Sequence, residues 1–341
     1  VTDLCKELRR KGHEIEITFK GRSEDEEPIR QFYSLSDDIR LISLGNIDGP
    51  LRTFSVVQRV LAKTKPDYVI TRNPRIAVVV AVLRWNCLLE LHQHLRIFRR
   101  WTAWRRVFQA VPYATLSVAA LTPSIVEELD PIVRRKTRAI ELIPSGSRDY
   151  HTHVSDPEFD VGYLGTFIPG KGIERLMTIA SRLPTLRFVV FGDGTGYEVV
   201  LSQLTRLRNV TYRGFVDDRS RRSALASFRI GLAPYSPDGF GRDRLISLDN
   251  VSPLKIIEYM SAGKLIIASR NIATERIITH GVDGILCDAD DIDSWVLSIK
   301  DALENPSDFN RLSHNARKSY LEKYSINSRS EKILTMMAQR N

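Results

Sequence analysis

The sequence predicts an α/β protein built from two tandem doubly wound, Rossmann-like domains that face a shared cleft. Three observations carry that prediction. The chain has 341 residues, more than one ordinary core uses and enough for two domains of roughly 150 residues each. Short apolar strand-like runs alternate with helical patterns over its whole length, the rhythm of a parallel sheet covered on both faces. That rhythm breaks once, at the polar stretch 151–158 (His-Thr-His-Val-Ser-Asp-Pro-Glu), and then starts afresh.

Taken in order, the chain opens in a helical pattern with Leu4 and Leu8 on one face and runs through Lys11-Gly12-His13 into a strand. An α/β chain more often begins on a strand, so a further strand is expected to precede this opening helix in the whole protein. Strands are predicted at 15–19, 39–44, 68–71, 87–92, 116–120 and 139–143, then at 161–164, 187–191, 210–213, 230–233, 265–268 and 284–287. Helical patterns lie between most of them, and from Asp293 onward the chain reads as helix with a basic end. The expected organisation is a first domain over 1–155, a second over 156–325 and a last helix, 326–341, packing back towards the first domain. Sheets of this kind bind ligands outside the carboxyl ends of their strands.

A hydrophobic content of 43% with 27% charged residues is that of a globular protein. The longest apolar run, 76–83, is far short of the roughly 20 residues that cross a bilayer. Three scattered cysteines, Cys5, Cys87 and Cys287, show no metal-ligand spacing and fit a reducing, cytoplasmic compartment. No metal site is expected. The net charge of +9 favours an acidic partner, and its distribution is more telling than its size. Between Leu91 and Val126 there is no Asp or Glu, while Arg96, Arg99, Arg100, Arg105 and Arg106 crowd together. At helical spacing Trp101 and Trp104 fall opposite most of these arginines, a pattern that fits a helix lying on an anionic membrane surface. It equally fits a domain helix that buries its aromatic face. No nucleic-acid-binding module accompanies the basic stripe, so nucleic acid is not an expected partner.

The most informative stretch is 252–264, Ser-Pro-Leu-Lys-Ile-Ile-Glu-Tyr-Met-Ser-Ala-Gly-Lys. Ser252 suits an N-cap, Pro253 the first helical position and Gly263 the helix end. The amides around Leu254, with the positive end of the helix dipole, suit a phosphate. Glu258, two turns in, suits a pair of sugar hydroxyls, and a nucleotide offers both groups. Residues 165–172, Gly-Thr-Phe-Ile-Pro-Gly-Lys-Gly, nearly spell a phosphate-binding Gly-x-x-x-x-Gly-Lys-Ser/Thr loop. Gly172 replaces the hydroxyl that would hold magnesium, which argues against a nucleoside triphosphatase. Lys171 still stands where it can neutralise a diphosphate. The run Gly192-Asp193-Gly194-Thr195-Gly196 fails the dinucleotide fingerprint and reads as a close backbone turn. His92 ends an apolar strand and is expected at the ligand side of its sheet.

Together these motifs resemble the retaining, GT-B-fold glycosyltransferases of the group 1 type, family four. The resemblance runs over nearly the whole chain and is carried by Gly165 with Lys171-Gly172, Gly192-Asp193-Gly194, Asn209-Val210 with Gly214-Phe215-Val216, and Ser252 to Lys264, in the family's order. It implies a nucleotide diphosphate sugar as donor substrate, with no cofactor and no metal, and a saccharide or lipid-linked acceptor. It also implies that Lys171 and the amides at Pro253 and Leu254 hold the diphosphate, that Glu258 binds the ribose and that the backbone at Phe215 and Val216 reads the base. His92 would stand beside the transferred hexose. Two positions depart from the family: Asn250 takes the place of a sugar-contacting glutamate, and Thr166 that of an arginine on the diphosphate. Those departures leave a second expectation open, a non-catalytic nucleotide-sugar binding or partner subunit of the same fold.

Overall fold

The computed structural model describes residues 2–93, 95, 106, 109, 115–152, 156–237, 248 and 251–339. They form two compact units, Val1–Pro144 with Arg329–Asn341, and Ser145–Ser328.

The first unit contains β1 (Glu16–Phe19), β2 (Arg40–Ser43), β3 (Val69–Thr71), β4 (Cys87–Leu91), β5 (Leu116–Ala120) and β6 (Ala139–Leu142), all close to their predicted spans. Every pairing is parallel. Among the described residues the strands do not form the expected single sheet: β1 pairs with β2, and β3-β4-β5-β6 form a separate sheet. Alternation along a sequence announces an extended segment but does not say which neighbour its edge groups bond, so this division was invisible from local pattern. The apolar run within 76–83 folds mostly into the helix Pro74–Val82, started by Pro74 at its first position and by Asn73, whose side chain accepts from the Arg75 amide at 3.0 Å. That helix and Val57 and Leu61 of the helix Pro50–Thr64 cover β4 and β5, both buried along their whole length.

The second unit contains β7 (Phe159–Leu164), β8 (Phe188–Phe191), β9 (Val210–Gly214), β10 (Phe228–Ala233), β11 (Leu265–Ser269) and β12 (Ile285–Cys287). They form one parallel sheet in the order β12-β11-β10-β7-β8-β9. Successive side chains point to opposite faces, so one strand feeds two cores. Phe188 and Val190 of β8 join Leu265 and Ile267 of β11 in one core, whereas Val189 and Phe191 join Ile266 and Ala268 in the other. From β7 the chain winds outward through β8 and β9, then returns to lay β10 on the other side of β7. The carboxyl ends of β7 and β10 are therefore the switch point at which doubly wound sheets take ligands.

The last helix, Ile326–Ala338, carries the chain back into the first unit from Arg329 onward. Arg329 is buried and donates to the carbonyl oxygens of Ile143, at 2.9 Å, and Pro144. Among the described residues no helix is long and apolar enough to cross a membrane.

Candidate functional site

Three loops leave the carboxyl ends of β7, β8 and β9, and their main chains are bonded to one another. Gly165 donates to the Phe191 carbonyl at 3.0 Å, Gly192 to that of Gly214 at 2.7 Å and Phe167 to that of Asp193 at 2.6 Å. Phe167 itself is buried among the rings of Tyr163, Tyr197 and Tyr212 and anchors the first loop. This closeness explains the glycines. A Cβ on Gly192 would lie 2.0 Å from the Gly165 oxygen, and one on Gly172 would lie 1.7 Å from the Pro234 oxygen, so neither position admits a side chain. The hydroxyl missing at Gly172 is thus excluded by the packing of the turn, and the following helix, Ile173–Arg182, starts from Gly172 in the left-handed region.

The helix Leu254–Ser261 reaches the same place from β10's side. Its N-cap is Pro253 and no side chain caps it, which corrects the expectation that Ser252 would be the cap and Pro253 the first helical residue. The Ser252 hydroxyl instead accepts from the Ser145 amide at 3.3 Å, leaving the amides of the first turn without a side-chain cap. At the other end Gly263, at φ +68°, lets the Gly263 and Lys264 amides bond the carbonyls of Met260 and Tyr259, which closes the helix as expected. Tyr259 locks the helix onto the switch point. Its hydroxyl accepts from the Leu164 amide at 2.9 Å and donates to the Leu232 carbonyl at 3.2 Å, bridging β7 and β10.

Charge gathers around Glu258, which is buried and accepts from Arg221 Nη1 at 2.9 Å. Burial works against the Arg221 cation, but Glu258 more than compensates and raises its pKa. Arg221 also reaches the Val216 carbonyl at 3.5 Å, so the loop after β9 meets the helix through this one side chain. Lys171 is half-buried; burial lowers its pKa, with Glu258 opposing. Lys255 goes further. It is 7% exposed, and its Nζ lies 3.4 Å from the centroid of the Tyr163 ring and 5.3 Å from that of Tyr235, without a hydrogen-bond partner. A cation over a ring gains about 0.5–2 kcal/mol, whereas taking an ammonium out of water costs several kcal/mol. Burial wins, and it holds Lys255 well below the usual lysine range, with Lys171 pushing the same way and Glu258 opposing.

In the first unit His92 follows β4, and its Nε2 stands 3.8 Å from Glu90 Oε2, too far for a hydrogen bond. Burial lowers the His92 pKa, Glu90 opposing. Glu90, in the middle of a buried strand, is bonded by Arg72 Nε at 3.0 Å and by Arg329 Nη2. Although burial favours its neutral form, His92, Arg329 and Arg72 hold its carboxyl well below the usual carboxylate range.

The residues expected at the donor site divide accordingly. Gly165, Lys171, Gly192, Val216, Pro253, Leu254 and Glu258 come together around the switch point of the second unit, with Thr166 and Phe215 exposed on its loops. Asn250 lies outside the described residues, as do Arg96, Arg99, Arg100, Trp101, Trp104 and Arg105; Arg106 is described and exposed. Sequence reasoning passed over Arg221, Lys255, Glu90, Arg72 and Arg329. For Glu90 a signal existed, a lone charge within Cys87-Leu88-Leu89-Glu90-Leu91, since a fully buried glutamate is rare without partners.

Residues 158–305 match the family model of the glycosyl transferases group 1. The protein TuaH of Bacillus subtilis (strain 168), named for teichuronic acid biosynthesis as a glycosyltransferase, is 25% identical over 118 residues, 34% of this chain and 28% of its own length. The chain thus spans little more than a quarter of that curated relative. Among solved structures, Alr3699/HepE of Anabaena in complex with UDP superposes with a TM-score of 0.72 at 19% identity, over 99% of this chain and 96% of its own. A glycosyltransferase of Rickettsia africae ESF-5 superposes with a TM-score of 0.73 at 14% identity, over 98% and 92%. The sucrose-phosphate synthase of Thermosynechococcus elongatus gives 0.71 at 17% identity, over 98% and 91%. The chain therefore has the GT-B fold of two Rossmann-like units, and the match to the glycosyl transferases group 1 model falls within its second unit.

Proposed function

We propose that the protein is a retaining, metal-independent glycosyltransferase that moves a hexose from a nucleotide diphosphate sugar to a hydroxyl of a saccharide or lipid-linked acceptor, in polysaccharide or glycoconjugate synthesis. The observation that carries the proposal is the convergence of the Lys171 loop and the start of the Leu254–Ser261 helix at the β7/β10 switch point, with Glu258 buried about one turn further along the helix. Lys171 and the helix-start amides hold the diphosphate, and Glu258, positioned by Arg221, takes the ribose hydroxyls. The backbone at Phe215 and Val216 reads the base, and the UDP complex of the Anabaena structure makes uracil the first base to try. His92 serves the transferred sugar.

Catalysis then comes from positioning and from stabilising the departing diphosphate, with lysine and helix dipole supplying the positive charge. The arginine- and tryptophan-rich sequence of 96–106 supports a site of action at the anionic, cytoplasmic face of a membrane. Lys171→Ala in the whole protein abolishes sugar transfer, assayed with a panel of nucleotide sugars; unchanged transfer overturns the assignment. Arg99, Arg100 and Arg106 changed together to Glu release the protein from anionic vesicles, and retained binding removes the membrane part of the reading.

Thr166, exposed where the family resemblance asks for an arginine, favours a second reading: a subunit that binds nucleotide sugar without transferring it. A whole protein that binds the donor yet neither transfers nor hydrolyses it decides for that reading.

A further inference from the structure

Lys255 is the buried cation that the proposed reaction has so far left without a task. It is the second residue of the helix Leu254–Ser261, 7% exposed, and its Nζ has no hydrogen-bond partner. Its position is defined from two sides. The Tyr163 ring lies beneath the ammonium, with the ring centroid 3.4 Å from Nζ. On another side stands the backbone of Gly165, where an added Cβ would come within 2.9 Å of Lys255 Cε and 3.3 Å of Nζ. The amine therefore ends against the first glycine of the phosphate-facing loop, at the carboxyl end of β7, and a side chain at residue 165 would crowd it. Lys171, from the same loop, is near enough for the two positive charges to oppose each other.

Among the described residues, the carboxylate that acts on both lysines is Glu258, and Arg221 already bonds it. Buried charges are otherwise paired, and a buried lysine without an acceptor whose charge is opposed by a second lysine suits an anion with more than one negative charge. A diphosphate has that charge and can reach both amines from one position at the helix start.

We infer that Lys255 is a second diphosphate-binding lysine of the donor site, acting with Lys171 on the diphosphate of the nucleotide sugar and of the nucleoside diphosphate that leaves. This assignment rests on the proposed donor site. It separates a ligand-binding role from a structural one, because a lysine kept only for packing stabilises the protein without ligand, whereas an uncompensated one does not.

The test uses the unaltered protein with Lys255→Met, Lys255→Arg and Lys171→Met, and reads the thermal midpoint without ligand together with the affinity for UDP, inorganic pyrophosphate and uridine. Lys255→Met is expected to keep or raise the midpoint, to weaken UDP and pyrophosphate at least tenfold and to leave uridine within twofold. Lys255→Arg also weakens UDP, since the space against Gly165 suits an amine and not a guanidinium. UDP binding by Lys255→Met within twofold of the unaltered protein, with Lys171→Met losing it, overturns the assignment of Lys255 alone. Failure of the unaltered protein to bind UDP, GDP, ADP or pyrophosphate overturns the donor site and this assignment together. Should Lys255→Met not fold, the unaltered protein labelled with 13C-lysine gives the answer: the Cε resonance that Lys255→Arg removes must move on adding UDP or pyrophosphate but not uridine, and a signal that stays still refutes the assignment.

Discussion

Each unit buries one carboxylate among cations, and the two clusters are finished differently. In the first, Glu90 is bonded by both Arg72 and Arg329, and Arg329 also bonds the carbonyls of Ile143 and Pro144. In the second, Arg221 bonds Glu258, while the amines of Lys171 and Lys255 feel the carboxylate through the electrostatic field and that of Lys255 has no hydrogen-bond partner. Guanidinium groups suit the first cluster because a planar fork can satisfy a carboxylate and a carbonyl at once. The second cluster holds ammonium groups, compact point charges that satisfy no such fork. The difference teaches that a buried ionic cluster whose members complete one another's hydrogen bonds needs nothing further to hold a fold together, and that one with a buried amine left without an acceptor is the place to test for a ligand.

The largest effect should come from the second cluster's loop lysine. Lys171→Ala is expected to lower sugar-transfer kcat/KM at least a hundredfold, a loss typical of a group that stabilises charge in the transition state, while the urea midpoint stays unchanged. A drop in the midpoint comparable to that in activity would erase the contrast between the clusters. Next, Glu90→Ala, which leaves Arg329 buried without its carboxylate, is expected to cost about 3–5 kcal/mol in urea unfolding. If Glu258→Ala costs as much, the two clusters are of one kind after all.

A pH series sharpens the same point. The folded-state pKa of Glu90 lies below its unfolded value of about 4.3, so its stabilisation is fully present above that pH and is lost as pH falls through the carboxylate range. The stability gap between the unaltered protein and Glu90→Gln should therefore narrow steadily below about pH 4.3, as followed by urea unfolding. A gap that is flat between neutral and acid pH would mean that the Glu90 charge contributes nothing.

The smallest effect concerns Lys264, beyond the opposite end of Lys255's helix. Burial lowers its pKa to about 8, and its Nζ sits 5.6 Å from the Phe228 ring centroid. For a lysine shifted down, the folded state is penalised while the amine is charged, and the penalty fades as pH rises from the folded value of about 8 to the unfolded value of about 10.4. Lys264→Met should gain on the order of 1 kcal/mol at pH 7, and the gain should vanish by about pH 10.4, with UDP affinity unchanged. An equal loss of UDP affinity in Lys264→Met and Lys255→Met would show that any buried lysine on this helix gives the same result.

Much of this architecture was legible in the chain. The strands emerged close to their expected spans because apolar runs bounded by turn residues report extended structure directly. Gly263 was legible as a helix end because only a residue at ease in the left-handed region closes a helix that way. The start of the same helix was misread. Ser252 has the chemistry of a cap, but its hydroxyl is engaged by the Ser145 amide, a partner 107 positions away. Arg221 was invisible for a similar reason: it opens a short helix, Arg221–Ala226, with nothing in its neighbourhood to mark it, and finds Glu258 37 positions on.

By itself the sequence determined the two doubly wound units, the glycine-bearing loop with Lys171 and the helix that carries Glu258, because these depend on periodicity, turn chemistry and residue type, all of which are local. Only the tertiary structure decided which described strands of the first unit pair, that Arg329 closes on Glu90 across 239 positions, and that Lys255 is buried against Gly165 with no acceptor. Sheet pairing, hydrogen bonding and desolvation depend on separation in space, which distance along the chain does not encode.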